Sequence, residues 1–186
     1  MTFLDFLGWA GIAFYLLGHA YISIVKDWKK IIYYSGNLIA AVSLVITSTV
    51  LESWQAVVIN AFWAVISILL LMRFDLSKVP FSMFAFKVIL VAIWLALIIM
   101  SLIKQSLQFD ILGWSSAFAF CAGYLLFSAN KMSINKYFLC TAYAASSLMP
   151  QLWFDQNWPV FTLEVCWTII SIYGLISKYN EPRLID

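Results

Sequence analysis

Residues 5–9 read DFLGW, and residues 110–114 read DILGW. Outward from these two pentapeptides the chain goes on copying itself. Gly18 and Ser23 return in the same register as Gly123 and Ser128. After a one-residue deletion, Tyr33, Ala40, Ala41, Ser43 and Leu44 return as Tyr137, Ala144, Ala145, Ser147 and Leu148. Farther on, Trp54, Trp63, Ile66, Ser67 and Ile68 return as Trp158, Trp167, Ile170, Ser171 and Ile172. Apolar composition yields chance matches of Leu, Ile and Ala, but not tryptophans, glycines and an aspartate held in register. The sequence contains an internal repeat.

What repeats is apolar helix. Hydrophobic residues make up 64% of the 186-residue chain and charged residues 11%, with a mean hydropathy of +0.93. An ordinary soluble domain is roughly 45–50% apolar and about 25% charged, so this chain cannot clothe itself in a polar surface. A bilayer core of about 30 Å is crossed by about 20 helical residues. The apolar runs predict seven spans, at 3–24, 31–51, 54–74, 81–103, 110–129, 136–154 and 158–177. Membrane strands would be alternating segments of about ten residues, and these runs are continuous and twice as long. Trp28, Trp54, Trp153 and Trp158 stand near span ends, where tryptophans anchor to the interface. The first stretch lacks a basic n-region and a small-residue cleavage site, so it reads as a retained helix.

The expected fold is therefore an all-α integral membrane protein of seven transmembrane helices arranged as 3+1+3. Residues 3–74 form the first three-helix repeat, 81–103 a linker helix without a counterpart, and 110–177 the second repeat. Three is odd, so the linker restores the second bundle to the orientation of the first, giving two parallel repeats about an axis along the membrane normal. One side receives Lys26, Lys29, Lys30, Arg73, Lys78, Lys131, Lys136, Lys178 and Arg183, the other only Lys104. Lys87 lies a turn or two inside the fourth span, close enough to snorkel to the positive side. This bias places the amino terminus outside and the carboxyl terminus in the cytoplasm.

Polar groups deep in a span are functional candidates by default. Glu164 lies six residues beyond Trp158, about 9 Å inside the outer interface at about 1.5 Å per residue. Trp167 and Ser171 share its helix face, at i+3 and i+7. Asn60, Trp63 and Ser67 repeat that face in the first half, and the two triplets are expected to meet between the repeats. A carboxyl there can bind a cation, accept a proton or hold a polar substrate; the plainer reading is a hydrogen-bonded tie between helices. His19, paired by the repeat with Tyr124, stands roughly 10 Å from the cytoplasmic edge as a gate or substrate contact. Asn37, paired with Thr141, is a weaker candidate for the same site and a good interhelical hydrogen-bonder. Gly8, Gly11, Tyr15 and Gly18 on the first helix, and Gly36, Ala40, Ser43 and Thr47 on the second, form small-residue faces that bring backbones together.

Other functions fit the residues poorly. A net charge of +2 without a dense basic cluster argues against nucleic acid. Cys121, Cys140 and Cys166 lie in apolar runs without CxxC spacing, and with one histidine no metal or cofactor site is expected. There is no GxSxG elbow or intramembrane carboxylate pair to support an enzyme.

The plan of three helices, a linker and three helices with an external amino terminus resembles the SWEET, SemiSWEET and PQ-loop superfamily, and the likeness covers nearly the whole chain. That family lines its substrate site with an intramembrane asparagine on the third helix of a repeat; Asn60 holds a similar place, and Glu164 holds it in the second repeat. The hinge prolines of SWEET first helices are missing, and Pro150-Gln151 falls near the outer end of the sixth span, not on a first helix. The sequence is also similar to small bacterial inner-membrane proteins with this repeat. The resemblance implies a transporter of that membrane for a small polar substrate, surrounded by membrane lipids. Two bundles in one chain would suffice as a monomer, and a homo-oligomer is equally compatible. The alternative is a non-transporting scaffold or subunit of a membrane complex.

Overall fold

The computed structural model describes residues 2–24 and 29–180, apart from the side chains of residues 19–20, 22–24, 30 and 177–180. Its elements are α1 (Phe3–Ile24), α2 (Lys30–Val50), α3 (Trp54–Leu71), α4 (Met83–Lys104), α5 (Phe109–Ser128), α6 (Ile134–Phe154) and α7 (Trp158–Asn180), with a 3₁₀ turn at Leu76–Lys78. The repeat is visible in the boundaries: α6 begins and ends 104 residues after α2, and α7 begins 104 residues after α3.

Among the described residues, five helices are long and apolar enough to cross a membrane: α2, α3, α4, α5 and α7. The sequence reading of seven is thus met in helix number, while two helices fall short of that measure. In α1 the described apolar stretch ends at Gly18. Helix α6 carries Lys136, Thr141, Ser146, Ser147, Pro150 and Gln151 in its length. The outward surfaces match hydrocarbon. Helix α4 exposes Phe84, Val91, Leu95, Ile99 and Leu102, an apolar patch that water would not tolerate on a soluble monomer.

The helix ends share one device. Among the described residues, five that are not glycine have left-handed backbones: Glu52, Arg73, Gln105, Asn130 and Gln156, with φ between 50° and 60°. Each follows or ends a helix, and the next residue's N–H reaches back to the carbonyl five positions earlier. The bonds are Ser53 to Ser48, Phe74 to Leu69, Ser106 to Ser101, Lys131 to Leu126 and Asn157 to Leu152, at 2.8–3.2 Å. This is the Schellman closure, which satisfies carbonyls that a helix end leaves open. It also corrects the third span, expected to reach residue 74: the helix stops at Leu71 because Arg73 turns the chain. Glycine adopts this backbone without the strain of about 1 kcal/mol carried by other residues. Gln105 is exposed, so Gln105→Gly should raise stability by about 0.5–1 kcal/mol, read as a higher melting midpoint in detergent. A lowered midpoint would show that its side chain matters.

The chain divides into two compact units that cut across the repeats. The first holds residues 1–78 with 150–163, so the end of α6 from Pro150 and the start of α7 join α1–α3. Within it α2 packs along both α1 and α3. The small-residue faces meet as expected at Gly11, where an added Cβ would lie 3.1–3.2 Å from Leu44, Ser43 and the Ala40 carbonyl. Gly36 is different, since a Cβ there would touch nothing within 4 Å.

The first unit also joins two helical turns through buried and part-buried polar bonds. Ser53 Oγ donates to Asp155 Oδ2 at 2.6 Å, and Gln151 Nε2 to Asp155 Oδ1 at 2.8 Å. Asn157 Nδ2 donates to Ser48 Oγ at 3.0 Å. Ser48, Ser53 and Asn157 are entirely buried, so the Asn157–Ser48 bond is made where water cannot substitute for it. The two bonds to Asp155 are part-buried.

The second unit holds residues 79–149 and 164–186. Side chains bond across helices here as well. Ser116 Oγ donates to the Ala144 carbonyl at 2.5 Å, and Cys140 Sγ to the Ala119 carbonyl at 3.3 Å. Cys140 is buried as expected of a small packing residue, while Cys121 and Cys166 are half-buried. Helix α4 is tied in by a relay in which Trp94 Nε1 donates to the Tyr143 hydroxyl at 2.9 Å, which bonds Ser115 Oγ at 2.6 Å. Lys131, counted above only as a topogenic charge, donates to the Val79 carbonyl at 2.6 Å and so fixes the start of the linker. Of the other charges in that count, Lys26 and Arg183 lie outside the described residues, as do the side chains of Lys30 and Lys178 and the expected anchor Trp28.

Candidate functional site

In the first unit α3 presents Asn60, Trp63 and Ser67 on one face, and all three are buried. Asn60 is held on both sides: Nδ2 donates to the Ala56 carbonyl at 2.9 Å, and Oδ1 accepts from the Tyr15 hydroxyl at 3.3 Å. The Tyr15 ring meets Trp63 edge-on, with centroids 5.8 Å apart. Asn60 and Trp63 are thus brought together by α1, through a tyrosine that the sequence reading placed on a packing face. Asn37 on α2 is 1% exposed, and its Nδ2 has no hydrogen-bond partner among the described residues. Its Oδ1 lies 3.5 Å from where a Cβ on Gly18 would stand, so the glycine leaves room for the amide. Ser67 Oγ is also buried without a partner.

In the second unit α7 presents Glu164, Trp167 and Ser171 on the equivalent face, again buried. The polar groups are satisfied in a different order. Ser171 Oγ bonds Thr141 Oγ1 at 2.9 Å, whereas the equivalent Ser67 Oγ has no partner among the described residues. Glu164 is 4% exposed, and its Oε2 has no hydrogen-bond partner among the described residues. The aligned repeats differ at the position whose hydroxyl serves Asn60. Tyr15, which satisfies Asn60, corresponds to Phe120, a buried ring with no hydroxyl to offer. An unsatisfied buried acceptor costs about 1–3 kcal/mol, and a group kept at that cost is a place to look for function. The side chain of His19 lies outside the described residues, and its repeat partner Tyr124 is buried.

Two features escaped the sequence reading. The Tyr15 and Phe120 difference was present in the aligned repeats, but its meaning depends on Tyr15 reaching Asn60. The bonded turns had a fainter sign: Ser53 and Asn157 hold the same repeat position, just before Trp54 and Trp158, and both residue types favour helix N-caps. Among the described residues no group of three His, Cys, Asp or Glu side chains is placed to hold a metal ion.

The fold and these buried faces define an all-helical membrane protein built from two repeats. One family model matches residues 4–78 and again residues 109–182, and the chain belongs to that uncharacterised family. Its matched segments coincide with the two repeats read from the sequence and leave α4 outside. No curated protein and no solved structure matches the chain.

Proposed function

We propose that the protein is a small-molecule transporter of the bacterial inner membrane, with its seven helices spanning as 3+1+3, amino terminus outside and carboxyl terminus in the cytoplasm. The carrying observation is Glu164, a buried carboxyl whose Oε2 has no partner among the described residues, where the first repeat has a hydrogen-bonded asparagine. A polar substrate can bring a donor to that oxygen, and Trp167, at i+3 on the same face, offers an aromatic wall. Asn60 and Trp63 form the equivalent face of the first repeat, where Asn37 is also buried. This use of a repeat pair is like that of SWEET-type carriers, to which the plan of helices is similar.

The test is flux into proteoliposomes over a panel of small metabolites, with and without a pH gradient. Saturable uptake of at least one polar solute is expected. Silence across a broad panel, with folded protein confirmed in the vesicles, would leave a membrane scaffold as the better reading.

A further inference from the structure

An open cavity of about 600 Å³ lies where α2 begins and α3 ends, lined by Ile31, Tyr34, Leu70, Leu71, Arg73 and Phe74. Its lining is amphipathic: one guanidinium and one phenol among aliphatic and aromatic walls. We propose that this cavity is a specific site for an anionic glycerophospholipid, its phosphate on Arg73 and its acyl chains along the apolar surface of the α2–α3 pair.

Charge complementarity selects the occupant. Lys29 immediately precedes α2, and Arg73 and Lys78 follow α3, so three cationic residues among the described ones stand at this end of the hairpin. Among the described residues, the acid that follows Arg73 is already engaged. Asp75 accepts from Ser77 Oγ at 2.6 Å and from the Ser77 backbone N–H at 3.1 Å. These hydrogen bonds hold its carboxyl below the usual range, so it stays charged and committed to its own turn. Among the described residues no ion pair forms to Arg73, which is exposed. Its guanidinium is left as a fork that fits a phosphate. The Schellman turn that ends α3 places Arg73 at the rim of the cavity, not on the helix barrel. The first turn of α2 adds to the field, because Lys29 caps it without a side-chain hydrogen bond. The acyl half is equally provided for: Ile31, Val65, Ile68 and Phe74 are exposed apolar side chains of α2, α3 and the residues that follow. A basic cavity between helices at the positively charged side of a membrane protein is a recurrent lipid-headgroup site.

The experiment uses the full chain in nanodiscs and in detergent. In native mass spectrometry of detergent-purified protein, phosphatidylglycerol should be retained over phosphatidylcholine by at least about fivefold, the discrimination expected of one well-placed cation. Arg73→Gln should lose that preference, whereas Lys104→Gln, at the other end of α4 from Lys87, should keep it. The melting midpoint should rise when phosphatidylglycerol replaces phosphatidylcholine in the disc, as ligand binding to the folded state requires. Should Arg73→Gln fail to fold, Arg73→Lys should weaken the preference without abolishing it, because a point charge replaces the fork. Equal retention of both lipids, equal loss in Lys104→Gln, or the same stabilisation by inorganic phosphate alone would each overturn the proposal.

Discussion

Glu164→Gln should reduce substrate flux by about 10–100-fold while leaving the melting midpoint within a degree or two. A hydrogen bond from a substrate donor to a charged or ionisable acceptor is worth about 1.5–3 kcal/mol, and every 1.4 kcal/mol is about a factor of ten. Glutamine matches the glutamate in shape and keeps one oxygen, but turns the other position from acceptor to donor. Oε2 is the atom with no partner among the described residues, and in glutamine only one of the two positions can still accept. A purely structural carboxyl gives the opposite pattern: flux preserved, or lost only together with fold stability. A second variant separates the two readings further. Phe120→Tyr with Glu164→Asn writes the Tyr15–Asn60 pair into the second repeat. Its new hydrogen bond should add about 1 kcal/mol of stability, while flux stays as low as in Glu164→Gln. If the double variant transports normally, the carboxyl is not where substrate binds.

The fold was legible because the sequence states it twice. A single apolar run leaves its ends uncertain by a few residues, yet Trp54 and Trp158 mark the first residues of α3 and α7 at a common offset. The burial of Asn60, Trp63, Glu164 and Trp167 followed from their shared helical faces. What stayed hidden depends on contacts between distant segments. The bond from Ser53 to Asp155 joins turns about a hundred residues apart, and no local pattern in either turn announces the other. The relay from Trp94 to Ser115 starts on α4, for which the repeat gives no second copy to compare. The early end of α3 was missed for a local reason: Met72 and Phe74 are apolar, so hydropathy runs on past the place where the backbone turns at Arg73.

Gly11→Val should destabilise the protein by about 3 kcal/mol, toward the upper end of what overpacking costs. The neighbours cannot retreat: a Cβ at Gly11 would stand 3.1 Å from Leu44 and 3.2 Å from the backbone oxygen of Ala40, both residues fully buried. Alanine should cost less, since it adds the Cβ without the two γ carbons that follow it. The second repeat supplies the control. Its equivalent position is Ser116, which carries a Cβ and donates to the carbonyl of Ala144, the counterpart of Ala40. One register is thus used in two ways, by close backbone approach in one bundle and by a side-chain hydrogen bond in the other. Ser116→Ala should therefore cost only about 1 kcal/mol, the net worth of that bond. Melting midpoints of the variants in one detergent decide the matter. A large loss at Gly11 with a small one at Ser116 is the signature of that divergence; equal losses would mean that the two helix pairs pack alike.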